Sequence, residues 1–245
     1  MKKNRRTSHR KTTTFALLAL AGVLLMGSAL GSTRAALTYY SENYTAEIKI
    51  HQIGVSLLEN GEVVSSRDYE GDKWNETSGA LLQNMLGENE KLALGKKYDE
   101  TLSVLNSGDI DQYVRVRIYK YWTKKGSDEK ETSLSPDLIK LNLVNQEQWI
   151  NPNPEVTDRE CTELYYKGIL PAGQTAVDFA DGISIDNKLA AEVEVTQKGN
   201  VITTTYKYDG VEFHVNVEVD AVQTHNAQDA ILSAWGVDAA ALGIL

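Results

Sequence analysis

Tyr113-Val114-Arg115-Val116-Arg117-Ile118-Tyr119 decides the fold class, because apolar and polar or aromatic side chains alternate along it without a break. In an extended chain Val114, Val116 and Ile118 fall on one side, and Tyr113, Arg115, Arg117 and Tyr119 on the other. Period two is the mark of a half-buried strand, and most of residues 45–225 repeats it. Upstream, Tyr98–Leu105 is a strand ended by Asn106-Ser107-Gly108. Further back, Ala46, Ile48 and Ile50 share a face, and the phase slips before Ile53, Val55 and Leu57, which places a bulge near Gln52. Downstream come Leu138–Val144, Glu160–Lys167, Ala191–Thr196, Val201–Tyr208 and Val211–Val222. Asn60-Gly61, inside Leu58–Val64, tolerates the positive φ angles of a type I′ hairpin turn, and Asp209-Gly210 reads as a second hairpin.

Helix is scarce. Ala80–Leu86 suits two turns ended by Gly87, and Asn226 suits the cap of a helix over Ala227–Trp235 ended by Gly236. Residues 124–137 and 151–159 are polar loops containing proline. Many short strands with few helices predict an all-β fold: a two-sheet jelly-roll-like sandwich first, an immunoglobulin-like sandwich second.

The chain begins differently. Its first thirteen residues carry six Lys or Arg and no acid, an apolar or small run follows from Phe15 to Gly31, and small residues end it. This is a signal peptide. Small side chains at Thr33 and Ala35 place the cut between Ala35 and Ala36, so residues 1–35 form the signal helix and 36–245 one secreted domain. Signal peptidase is then a transient partner, and the membrane is touched only through the uncleaved signal. Cleavage removes seven bases and no acids, leaving 18 bases against 34 acids, a net charge of −16. Such a surface repels nucleic-acid phosphates, so no nucleic-acid partner is expected. The one cysteine, Cys161, cannot form an internal disulfide. It reads as a core residue of the strand that carries Leu164 and Tyr166.

Catalytic patterns are absent. There is no His-Glu-x-x-His and no Gly-x-Ser-x-Gly, and His51, His214 and His225 show no paired ligand spacing. Asp68, Glu70 and Asp72 imitate the start of a calcium loop, but Gly79 stands where its last glutamate belongs, so a solvated turn is the reading. Asp109/Asp111 and Asp178/Asp181/Asp186 suit ordinary turns. No enzyme, metal or cofactor is expected. The candidate binding face is Tyr113, Arg115, Arg117, Tyr119 and Tyr121, on one side of one strand. It reads either as an aromatic surface for glycan or protein, or as a cross-strand ladder.

Two stretches resemble a known group. Met26 to Ser41, with a Ser-Thr-Arg-Ala junction running into Ala36-Leu37-Thr38-Tyr39-Tyr40, is similar to export segments cut by the SipW-type signal peptidase of Gram-positive bacteria. Leu105-Asn106-Ser107-Gly108-Asp109-Ile110, leading into Tyr113-Val114-Arg115-Val116, resembles the TasA/camelysin group. So does Gly168-Ile169-Leu170-Pro171-Ala172-Gly173-Gln174-Thr175. The resemblance implies a jelly roll, export, and assembly into extracellular fibres of a biofilm matrix. Camelysin-like members have been classed as metallopeptidases, yet no zinc motif is present to carry that over. The chain departs from the group in an insert over residues 66–97 and in its helical tail.

The leading expectation is therefore a secreted structural protein of the matrix, at the cell surface or beyond it. An adhesin for glycan or host protein is second, and a metallopeptidase third. Assembly has a candidate strand in the new N-terminus, Ala36 to Ala46, which carries Leu37, Tyr39, Tyr40 and Tyr44 and no Pro or Gly. Eleven extended residues reach roughly 36 Å, enough to lie along a sheet edge of another copy or of a sister matrix protein. A local strand within its own domain is the alternative.

Overall fold

The alternation around Val116 continues in both directions and becomes one strand of a two-sheet structure. In a computed structural model, residues 52–198 and 201–245 are described; they lie in a unit spanning Ile50–Leu245. The signal and its cut at Ala35/Ala36, the segment with Leu37, Tyr39, Tyr40 and Tyr44, the strand at Ala46–Ile50, and His51 lie outside the described residues.

The strands are β1 (Gly54–Glu59), β2 (Glu62–Glu70), β3 (Lys73–Thr77), β4 (Leu102–Leu105), β5 (Gln112–Lys124) and β6 (Ile139–Leu143). They continue with β7 (Trp149–Ile150), β8 (Cys161–Tyr166), β9 (Ala180–Ile185), β10 (Val193–Lys198), β11 (Val201–Tyr206) and β12 (Val211–Gln223). One sheet has the order β3-β2-β1-β4-β9-β6 and the other β12-β5-β8-β7, while β10 and β11 form a separate ribbon. Every pairing is antiparallel. The chain crosses repeatedly between the two larger sheets, as in β4 to β5, β5 to β6, and β8 to β9.

Their facing sides make the core. Val114, Val116, Ile118 and Trp122 of β5, with Leu164 and Val215, meet Leu57, Leu102, Val104, Ile139, Ile183 and Ile185 of the other sheet. Each such side chain contributes about 1.5–3 kcal/mol by leaving water. Lys120 interrupts the apolar row. Its Nζ donates to the Ile139 carbonyl at 3.0 Å and lies 4.0 Å from Asp137. Burial pushes this amine below its usual value, and Asp137 opposes the shift.

The Asn60-Gly61 turn forms as expected, with φ of 52° and 83° between the paired residues Glu59 and Glu62. A second turn of the same kind, Gly71-Asp72 at 58° and 62°, joins β2 to β3. Asp72 is thus in a turn, whereas Asp68 and Glu70 lie on β2. The bulge expected near Gln52 lies at the border of the described residues, and a register shift of β1 on β2 falls between Leu57 and Leu58.

Several expectations are corrected. Asp209-Gly210 is a turn but not a hairpin, because β11 pairs with β10 and β12 pairs with β5 over thirteen residues. Ala80–Leu86 forms successive turns rather than a helix, with Leu82 at φ 63°, a conformation that interrupts a right-handed helix. The strand expected from Tyr98 is regular only from Leu102, and Tyr98 makes an isolated bridge to Ile183.

The C-terminus holds α1 (Ala227–Trp235) and α2 (Ala239–Leu242). Gly236 ends α1 at φ 72°, its N–H donating to the Leu232 carbonyl. Asn226 precedes α1 at φ 51° without a side-chain capping bond, so its expected capping role is not the one it plays. Asp238 caps α2, accepting from Ala240 and Ala241 at 3.0 and 3.1 Å. Ile231, Trp235, Ala239 and Ile244 pack with Tyr113, Tyr165 and Val222 in a second apolar cluster. The helices therefore cover one end of the outer face of the four-stranded sheet.

Candidate functional site

The expected Tyr/Arg face exists as a face but not as an open surface. Tyr113, Arg115, Arg117, Tyr119 and Tyr121 stand opposite Val222, Asp220, Glu218, Asn216 and His214 of β12. Tyr113 and Arg115 are buried, Arg115 being 8 % exposed under Trp235, whose ring centroid lies 5.5 Å from its guanidinium. Arg115 donates to Asp220 Oδ2 at 2.7 and 3.1 Å and faces Glu163 at 3.6 Å. Arg117 pairs with Glu218 at 2.8 Å and faces Asp220 at 3.2 Å. Burial alone lowers the Arg117 guanidinium, but the carboxylates of Asp220 and Glu218 outweigh it and the net shift is upward. Tyr121 stacks on His214 at 5.0 Å and accepts from Asn216, with Lys130 over its ring. The five side chains are committed to one another and to their neighbours, as a cross-strand ladder is.

Cys161 belongs to this outer face and not to the core. It pairs across from Tyr119, and its three-residue offset from Leu164 puts the two on opposite sides of β8. Burial pushes its thiol upward, with the hydrogen bond to Tyr119 acting the other way. A raised value means less thiolate at a given pH, hence a slower nucleophile. Alkylation by iodoacetamide at pH 8 is expected to be at least about tenfold slower in the folded chain than in urea; equal rates would contradict this placement.

The remaining polar candidates have structural partners. Nε2 of His214 lies 2.8 Å from the Thr123 hydroxyl, and His225 is exposed. Asp109 accepts from the Gln52 N–H at 2.6 Å and Asp111 from Ala172 at 3.1 Å. Asp181 binds Lys97 and Asn142, which hold its carboxyl below the usual range. Asp186 accepts from Lys188 at the start of a 3-10 turn, and Asp178 contributes its carbonyl to Asn145. Among the described residues no group of three His, Cys, Asp or Glu is placed to hold a metal.

Two features lay beyond a reading of the sequence. First, the Asn106 and Leu170 segments meet. Nδ2 of Asn106 donates to the carbonyls of Ile110 and Leu170 at 2.8 and 2.9 Å, while its Oδ1 accepts from Gly108 N–H at 3.0 Å and from Gln112 Nε2. The Gln112 amide also donates to the Gly54 carbonyl, so the node ties together β1, β4, β5 and the 168–176 loop. A Cβ at Gly108 would lie 2.5 Å from the Gln52 carbonyl oxygen, which is why glycine stands there.

Second, β12 is an edge strand of its sheet, and its outer edge has no strand partner among the described residues. A groove follows that edge. Adjoining clefts of about 590 and 450 Å³ share Leu57, Ser65, Ser78 and Val217, with β12 forming one wall and β1 and β2 contributing the other. Residues Phe213 to Asp220 line it on the β12 side, and the six from Val215 onward span roughly 20 Å when extended. Among the described residues, an edge of this length presents backbone N–H and C=O groups that another strand can satisfy. Comparison with protein-family models, curated proteins and solved structures finds no match to this chain.

Proposed function

We propose that this chain is a secreted structural subunit of an extracellular matrix, assembled by strand addition. The mature N-terminal segment of one copy, Ala36 to Ala46, lies along β12 of the next. The observation that carries this reading is the groove beside the β12 edge. Strand addition would pair backbone groups along that edge and place alternate side chains, such as Leu37 and Tyr39, against Leu57 and Val217. Assembly waits on export, since the segment is freed only when the signal is cut after Ala35.

The order of strands supports a jelly roll within the general sandwich. The pairs β4–β9, β9–β6, β12–β5 and β5–β8 join segments far apart in sequence, as interlocked Greek keys do. An immunoglobulin-like domain builds more of its pairs from neighbouring strands. This topology, together with the two loop segments that converge on Asn106, favours membership of the TasA/camelysin group.

The test compares a chain beginning at Ala36 with one beginning at Glu47, by sedimentation and electron microscopy. Polymers are expected only from the longer chain. If both stay monomeric, or both polymerise alike while folded, the reading fails.

A further inference from the structure

The β2–β3 hairpin is an expense that the core does not explain. All five residues of β3 are exposed, so this strand adds no residue to the core. Yet it carries Trp74, which remains 49 % exposed, with Tyr69 edge-on at 5.1 Å and the Arg67 guanidinium 4.5 Å from the ring centroid. Trp74 and Arg67 flank a cleft whose other side is formed by Trp235, Arg115 and Asp220, at the end of the β12 groove. The cleft measures about 160 Å³, below the roughly 300 Å³ at which enclosed small-molecule sites begin. It suits a ligand laid across the surface with one ring inserted.

We infer that this cleft binds a neutral polysaccharide, one pyranose ring stacking on Trp74. A pyranose has an apolar face of C–H groups and a rim of hydroxyls, so it is matched by a flat exposed indole with donors beside it. The Arg67 guanidinium lies over the indole, and a sugar ring that displaces it to the rim finds those donors there. The ion pair of Arg67 with Glu76, at 2.9 Å, joins side chains 56 % and 59 % exposed, and water screens such a surface pair. In turning toward a sugar hydroxyl the guanidinium exchanges this pair and its contact with the indole for hydrogen bonds to the sugar. Arg115 and Asp220 are fixed to each other and form a polar wall with no unpaired charge. The acidic chain, −16 after signal removal, disfavours a polyanion. The cleft shares Arg115 with the Tyr113–Tyr121 ladder and Arg67, Val219 and Asp220 with the β12 groove, but Trp74, on which the inference rests, belongs to neither.

The experiment is native affinity electrophoresis of the chain beginning at Glu47, which lacks the assembly segment, in gels containing hydroxyethylcellulose, dextran, galactomannan or polygalacturonate. Retardation by at least one neutral polymer is expected. It should weaken at least about fivefold in Trp74→Ala and recover in Trp74→Phe, both folded by circular dichroism because the site lies outside the core. No retardation by any neutral polymer, stronger retardation by polygalacturonate than by all of them, or unchanged retardation of Trp74→Ala overturns the inference.

Discussion

Asn106→Asp is expected to cost about 4 kcal/mol or more, lowering the melting temperature by roughly 8–16 °C for a domain of this size. The substitution preserves shape and replaces the Nδ2 donor by an acceptor. That oxygen would face the carbonyls of Ile110 and Leu170, which now lie 2.8 and 2.9 Å from the donor. Asn106 is fully buried, so water does not restore the bonds. Unmade bonds at buried polar groups cost about 1–3 kcal/mol each, and here two are lost and two repulsions gained. Asn106→Ala removes all four side-chain bonds and should fall in the same range. Thermal unfolding measures both. A loss under about 1 kcal/mol for either would mean that the node does not hold the two loops together.

Ile231→Ala is expected to cost about 3 kcal/mol, within the usual range for truncating a buried isoleucine. Ile231 is fully buried between α1 and the sheet, in the cluster that contains Tyr113 and Tyr165. The loss should be seen first as faster hydrogen exchange in α1 and a shift in Trp235 fluorescence, because the helices are held by this one small cluster. Leu232 gives the control: it is one residue along, 52 % exposed, and its replacement by Ala should change stability by less than about 0.5 kcal/mol. Equal effects at the two positions would contradict the docking described.

What the sequence made legible was local. β5 was readable because Val114, Val116 and Ile118 face inward and Arg115 and Arg117 outward, and each inward residue is one that strands favour. Asn60-Gly61 and the α1 span were readable because a single turn or terminus fixes their residues. Pairing was not legible. Asp209-Gly210 has the chemistry of a hairpin turn, but the partner of β12 is β5, about a hundred residues earlier in the middle of the strand. β9 escaped notice because Ala180-Asp181-Gly182 interrupts any pattern, and Gly182 is required there: a Cβ would meet the Tyr98 carbonyl oxygen at 2.7 Å. Asn106 could be seen as a turn former but not as a node, since its partner Leu170 lies 64 residues away. The same holds for the groove, because being an edge strand is a property of the whole sheet.

The central claim is that the mature N-terminus is received by the β12 edge. It is tested most directly by hydrogen exchange on the chain beginning at Glu47, with and without a synthetic peptide of Ala36 to Ala46. In an antiparallel pair with β5, every second amide of β12 points away from β5 and toward the groove. Addition of the peptide is expected to slow exchange at those alternate positions between Val215 and Asp220, leaving the amides already bonded to β5 little changed. Protection confined to another edge, or none at peptide concentrations that saturate binding, would contradict the account.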